Sequence, residues 1–383
     1  MSFKEQVVDP FKLFCYQTVY YAVKCIPARR RNARLLLVKS DEIGDYILIR
    51  SCLGAFRRSV AYAGHHITFL GNVSCRQLFE TYDSGIADEA IWLDKKRFSR
   101  NLFYRFHFLM RLRQAGFSDA INLIYSRSWR TDDQLVAVST AANTVAMQTT
   151  DLPISPLERT LTPAHLYTRL ETAGAETLFD AGRNSRFIHG LLDMPPEPVT
   201  TRLTAGPPPA GLSLPRTYFV IVPGSGHRDK RWPTENFAAT ARQLTRQYGL
   251  TPVICGSPAD RQETLALHAV LGEQSLDLTG RTSLVDLLAV LKGAHCLISV
   301  DTGAVHLAAA VGCTVFGLFS GFHYGRFAPY PEAMTSRFFA IYPGETEEKI
   351  RSGRLAARDV PVGEMAKIPV EKVLRVITKN WIN

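Results

Sequence analysis

The residues best suited to chemistry in this 383-residue chain gather in three short stretches. In Ser299 to Gly312, SVDTGAVHLAAAVG, an apolar run ends at Val300; Asp301 and Thr302 are both good helix N-caps, and Gly303 leads into an alanine-rich helix. A helix start offers unpaired N–H groups and the positive end of its dipole, which suits a phosphate or diphosphate, and His306 one turn in could donate to the same anion. The plainer alternative is a capped core helix with a hydrogen-bonded histidine. In Val222 to Pro233, VPGSGHRDKRWP, a glycine loop with Ser225 and Gly226 follows another apolar run and carries Lys230, a point charge suited to a phosphate. Trp232 and Pro233 would fix that loop against the next helix. The full GxGxxG fingerprint is absent, and a solvated lysine beside a packing tryptophan is the alternative. In Ser40 to Asp45, Asp45 falls in the first turn of a helix, where it is either a partner for the helix dipole or a general base. Asp41 and Glu42 compete with it but precede Gly44 and belong to the loop.

Each stretch needs a strand to hold it. Arg34 to Lys39 is a short apolar run, followed by Ile47, Leu48, Cys52, Leu53 and Phe56 at helical spacing. His66 to Leu70, Ala90 to Leu93 and Ala120 to Ile124 continue the alternation expected of a parallel α/β sheet. Between Asp193 and Pro215 the chain holds seven prolines and no helical period, so the domain linker is placed at 193–215. The rhythm then restarts with strands at Tyr218 to Val222, Thr251 to Cys255, Cys296 to Val300 and Thr314 to Leu318, and with helices from Thr234, after Ser257 and from Ala304. Two similar α/β domains are therefore expected, facing a central cleft, over 34–192 and 216–383, with ligands at the carboxyl ends of their strands. The final helix is expected to pack back on the N-terminal domain.

Composition agrees. Hydrophobic residues at 46% and charged residues at 21% exclude a disordered chain or a fibrous repeat. Seven scattered cysteines without a CxxC pair argue against disulfides and zinc, and so for a reducing, cytoplasmic setting. No signal peptide is visible at the N-terminus. Thr302 to Gly325 holds 24 residues without a formal charge, but the turn at Gly312 divides it into a buried helix and a buried strand, each too short to span a bilayer. The net charge of +10 is concentrated: Lys95 to Arg130 carries nine basic residues against one acid, Asp119. A polyanionic partner or an ordinary solvated face would each account for it.

The three stretches together resemble a family. The order GD in the first loop, KRWP after a glycine turn, GSPADR, LTGRTSL and then DTGAVHLAAAVG is similar to that of the bacterial heptosyltransferases of glycosyltransferase family nine. The likeness runs from about Arg34 to Pro331 and is most specific from Val222 to Gly312. It implies an α/β GT-B fold of two Rossmann-like, doubly wound domains, with the nucleotide-sugar donor on the C-terminal domain and the acceptor on the N-terminal one. Carried over, Asp45 matches the family's catalytic base, Lys230 the lysine on the donor diphosphate, and Asp301, Thr302, Gly303 and His306 the diphosphate-binding turn. Asp260 falls where an acid contacts the ribose, Leu278, Thr279 and Gly280 where backbone meets the base, and Arg127 and Arg130 near an arginine that meets an acidic acceptor. The implied partners are a nucleotide-sugar donor, ADP-heptose by default, and an anionic glycan or glycolipid acceptor such as lipopolysaccharide core. Two departures stand out: Ser51 near the family's usual proline after GD, and FSGFHYGRFAPYP in place of an FGPT-like turn near the donor sugar.

An inverting transfer needs one base for the acceptor hydroxyl and a cationic, donor-rich site for the departing diphosphate, and these residues supply both. No DxD sequence occurs, so no metal or other cofactor is expected. A nucleic-acid-binding protein would need an aromatic-basic pattern or a helix module, neither of which is visible, and a dinucleotide oxidoreductase would need GxGxxG. At the N-terminus, 1–33 reads as an amphipathic helix starting at Asp9 and Pro10 with Phe11, Phe14, Cys15, Thr18, Ala22, Cys25 and Ile26 as its stripe, then Arg29, Arg30 and Arg31. That stripe would either lie peripherally on the inner membrane or dock on its own domain.

Overall fold

The computed structural model describes residues 10–29, 33–149, 154–175, 177–226, 230–353 and 364–381. Asp9, Arg30 and Arg31 lie outside the described residues. The chain forms two compact α/β units, one from Met1–Ala175 and Ala181–Val199, the other from Glu176–Asp180 and Thr200–Asn383. The division at Val199 falls inside the proline-rich segment, whose described backbone is neither helix nor strand. Composition does not announce the earlier excursion around Asp180, which tertiary contacts tie to the second unit: Arg326 donates to both oxygens of Asp180 at 3.2 and 3.0 Å, and the Asp180 N–H donates to the Arg326 carbonyl at 2.9 Å.

In the first unit β1 (Arg34–Lys39), β2 (His66–Asn72), β3 (Glu89–Leu93), β4 (Asp119–Asn122), β5 (Asn143–Gln148) and β6 (Arg169–Thr172) form a parallel sheet in the order β3-β2-β1-β4-β5-β6. Its helices are α1 (Pro10–Lys24), α2 (Ile43–Ile47), α3 (Arg50–Arg58), α4 (Arg76–Tyr82), α5 (Lys95–Arg100), α6 (Leu102–Ala115), α7 (Gln134–Ser139) and α8 (Pro156–Leu161); α9 (Asp180–Leu191) follows. In the second unit β7 (Tyr218–Val222), β8 (Thr251–Ile254), β9 (Leu276–Asp277), β10 (Cys296–Val300), β11 (Thr314–Leu318) and β12 (Phe338–Ile341) are also parallel, ordered β12-β11-β10-β7-β8-β9. They are joined by α10 (Thr234–Tyr248), α11 (Arg261–Leu271), α12 (Leu284–Gly293), α13 (Gly303–Ala310), α14 (Gly344–Arg351) and α15 (Val370–Lys379). Counted from each unit's own first strand, the two sheets have the same order, and it reverses between the first strand and the fourth: β1 beside β4, β7 beside β10. Loops at the carboxyl ends of those strands diverge there and leave a crevice for ligands.

Strands covered on both faces are apolar throughout, and every residue of β7, β10 and β11 is buried. The uncharged stretch through Gly312 divides as expected into α13 and β11, with Gly312 at φ +75°. No helix among the described residues is long and apolar enough to cross a membrane.

Within the second unit α15 packs on the core: Val373 and Ile377 join Trp232, Phe237 and Ile341, and the Trp232 indole N–H donates to the Ile368 carbonyl at 2.9 Å. α1 docks on α6 and α7, but through the opposite stripe from the one its hydropathy suggests. Leu13, Tyr16, Gln17, Tyr20 and Val23 are buried, while Phe11 and Phe14 stand 71% and 67% exposed. The reason is polar matching. Buried Trp129 donates to Gln17 Oε1 at 2.9 Å, the buried Arg105 guanidinium stacks 3.8 Å from the Tyr16 ring, and Arg113 donates to the carbonyls of Lys24 and Ile26.

Candidate active site

In the second unit the candidate residues converge on the β7/β10 reversal. Thr302 caps α13 by accepting from the Ala304 N–H at 3.4 Å, and Gly303 opens the helix. Lys230, on the loop after β7, reaches across to Asp301 at the end of β10, Nζ to Oδ2 2.6 Å, with both side chains mostly buried. The ammonium is thus held against the amino-terminal end of α13, where helix dipole and lysine both favour an anion. Trp232 holds the loop from behind by packing edge-on against Phe237 of α10. His306, buried one turn into α13, shares a 2.9 Å hydrogen bond between Nδ1 and the Tyr330 hydroxyl. Tyr330 belongs to the divergent turn after β11, and burial pushes its phenol well above the usual range. Ser225 is buried and Gly226 exposed; His227 to Asp229 lie outside the described residues.

The β7 and β8 loops are drawn together at Asp260. A Cβ on Gly224 would meet its Oδ1 at 2.4 Å, so only glycine lets the two loops approach. Asp260 Oδ2 accepts from the Ser257 N–H and hydroxyl at 2.8 and 2.7 Å. Beside them Leu278 N–H donates to the Ile254 carbonyl and Gly280 N–H to the Gly256 carbonyl, while Thr279 donates through N–H and hydroxyl to Asp277. Asp260, Leu278, Thr279 and Gly280 therefore line the carboxyl ends of β8 and β9.

In the first unit Asp45 sits in the first turn of α2, after β1. One carboxylate oxygen accepts from the Glu42 N–H at 3.3 Å, and the other has no partner among the described residues. Tyr46 and Arg50 anchor this turn by bonding Asp83, Arg50 at 2.8 and 3.0 Å. A polar cluster surrounds the loop: Lys39 pairs with Asp41 at 2.8 Å, Ser40 donates to Asp132 at 2.6 Å, Asn72 to the Asp41 carbonyl at 3.1 Å and Lys95 to Glu42 at 3.2 Å. Burial, and then Asp45 alongside, push the Asp41 carboxyl up to about 7 against the pull of Lys39. Sequence reading gave Lys95 only as part of the basic window and did not assign Lys39, Asn72 or Asp132 to this site; Lys39 and Asn72 end β1 and β2, and the strand order brings them together with Lys95 and Asp132.

Residues 119–350 match the model of glycosyltransferase family 9 (heptosyltransferase). The chain belongs to that family. A 117-residue stretch is 29% identical to lipopolysaccharide core heptosyltransferase OpsX of Haemophilus influenzae, covering 30% of this chain and 33% of that protein. Another of 102 residues is 31% identical to lipopolysaccharide heptosyltransferase 1 of Pseudomonas aeruginosa, covering 27% of this chain and 28% of that one. The matched stretches thus span a third or less of the curated relatives' length. Among solved structures, the glycosyl transferase family 9 protein of Veillonella parvula superposes at TM-score 0.66 with 20% identity over 92% of this chain and 98% of that one. The E. coli heptosyltransferase WaaC with ADP-2-deoxy-2-fluoro heptose does so at 0.62 with 18% identity over 91% and 99%. These two share the fold, and the fold class is GT-B.

The two basic candidates of the first unit are both paired with carboxylates. Arg127 is buried, donates to the Met147 carbonyl at 2.7 Å and pairs with Asp133 at 3.3 Å. Arg130 pairs with fully buried Glu158 at 3.1 Å. Both stand on the turn after β4, next to β1, so the sequence located them but not their partners.

Proposed function

We propose that this chain is an inverting, metal-independent glycosyltransferase that moves heptose from ADP-heptose to a hydroxyl of a bacterial surface glycan such as lipopolysaccharide core. The observation that carries this reading is the Lys230 ammonium fixed by Asp301 at the amino-terminal end of α13, at the reversal of the second sheet. Lys230 and the first N–H groups of α13 meet the diphosphate, and their donors strengthen as negative charge builds on the leaving ADP. His306 supports the same oxygens from within the helix. Asp260 meets the ribose, and the backbone at Leu278, Thr279 and Gly280 frames the base. Ser225 and Gly226 complete the glycine turn beside the phosphates.

Asp45 takes the proton from the acceptor hydroxyl as that oxygen attacks the anomeric carbon from the face opposite the leaving diphosphate. Arg127 and Arg130, each held by its carboxylate partner, offer their remaining N–H donors on the acceptor side. The seven free cysteines fit a reducing, cytoplasmic setting, where such a donor would be met. The test is transfer of radiolabelled heptose from ADP-heptose to heptose-deficient lipopolysaccharide core in excess EDTA. Undiminished transfer supports the reading; complete loss restored by magnesium overturns its metal-free part. A second reading keeps the chemistry and changes the sugar or acceptor. It is favoured by the divergent turn that places Tyr330 against His306.

A further inference from the structure

The docked α1 leaves a surface that the transfer reaction does not use. Its buried stripe faces α6 and α7, so the exposed side carries Phe11, Phe14, Thr18, Tyr21 and Ala22 together with two lysines, Lys12 and Lys24. Phe11, Phe14 and Tyr21 are 71%, 67% and 54% exposed. α6 runs parallel to α1: Lys12 and Tyr16 bond Ser99 just before it starts, and Arg113 near its end bonds the carbonyls of Lys24 and Ile26. The amino-terminal ends of the two helices therefore lie together, and Phe103, 74% exposed on the first turn of α6, stands at the same end as Phe11 and Phe14.

Within the described helices that carry these aromatics the charge has one sign. α1, α5 and α6 contain no acidic residue, and Lys12, Lys24, Arg29, Lys96, Arg97 and Arg100 are all exposed. Exposed aromatics backed by cations alone suit a surface with an apolar layer beneath anionic head groups. Rings sink a few ångströms past the head groups while lysine and arginine stay at their level. A second copy of the chain would set these cations against each other.

We propose that the outer face of α1 and the first turn of α6 form a docking surface for an anionic lipid bilayer, with Phe11, Phe14 and Phe103 as inserted anchors. The helix rests on the protein through one stripe and on lipid through the other. This reading does not depend on the transfer reaction, because it is measured by binding alone.

The test is co-sedimentation of the full-length protein with vesicles of phosphatidylcholine in which about a third of the lipid is phosphatidylglycerol. Phe14→Ser with Phe103→Ser should weaken partitioning at least about tenfold, since each buried phenyl ring is worth more than a factor of ten. Val60→Ser, at a fully exposed apolar position away from these helices, should leave it unchanged. Both variants alter exposed side chains, and an unchanged melting temperature verifies that they fold. Equal partitioning of wild type and the double variant would overturn the proposal, as would equal binding to pure phosphatidylcholine vesicles. So would concentration-dependent dimerisation that the double variant abolishes while neither protein binds vesicles.

Discussion

At Asp45 one carboxylate oxygen closes the first turn of α2 on the Glu42 N–H, and in the proposed reaction the other would take the acceptor proton. Asp45→Asn keeps the cap, since an amide oxygen accepts as well, and removes the basicity. Turnover should fall by about 10²- to 10⁴-fold while ADP affinity, measured calorimetrically, stays within about twofold; turnover above a hundredth of wild type would exclude Asp45 as the base. Lys230 differs because its removal leaves Asp301 unpaired, which would set that carboxylate against the proposed diphosphate. Lys230→Ala should therefore weaken ADP binding by more than about tenfold and raise donor KM, and adding Asp301→Asn should recover part of the loss. Strict additivity of the two substitutions would break the proposed pairing. Asp45, Lys230 and Asp301 were legible in the sequence because each follows an apolar run that ends at the carboxyl edge of a parallel sheet. Their partners were not: Lys230 meets Asp301 only because β7 lies beside β10, and spacing along the chain carries no strand order.

Among elements, the strands that sequence located are those buried on both faces. β7, β10 and β11 begin and end where their apolar runs do. β6 is an edge strand of sequence RLET, mostly exposed, and β9 has two residues, so neither offers a run to detect. A single helix after β1 is in fact α2 and α3, broken around Leu48 and Ile49. α1 was legible as a helix but not in orientation, because its docking depends on polar atoms in an apolar setting. Gln17→Leu leaves the buried Trp129 indole N–H without its acceptor and should cost about 1–3 kcal/mol in urea unfolding of the full chain. No change in the unfolding midpoint would mean that this contact does not hold the helix.

Across the whole molecule the same six-strand order occurs twice, and each copy carries its candidate residues on loops at the carboxyl ends of its strands. The carboxylates buried near the first reversal have a measurable consequence. Burial pushes Asp133 up to about 6, against the pull of Arg127, and Asp41 to about 7. The folded protein holds these protons more tightly than the unfolded chain does. Their stabilising contribution is complete below about pH 4 and is lost as pH rises through about 6 to 7. The melting temperature should fall between pH 5 and pH 8, and Asp133→Asn should flatten that fall; a rise over the same interval would contradict the assignment. The central claim, a nucleotide-sugar site at Lys230 and α13, is tested most directly by thermal unfolding with a panel of nucleotide sugars and NAD. A donor at about a hundred times its Kd adds about 2.7 kcal/mol to the folded state. ADP-heptose should raise the transition of the wild type and much less that of Lys230→Ala. An equal rise in both proteins, no rise with any nucleotide sugar, or a rise with NAD alone would contradict it.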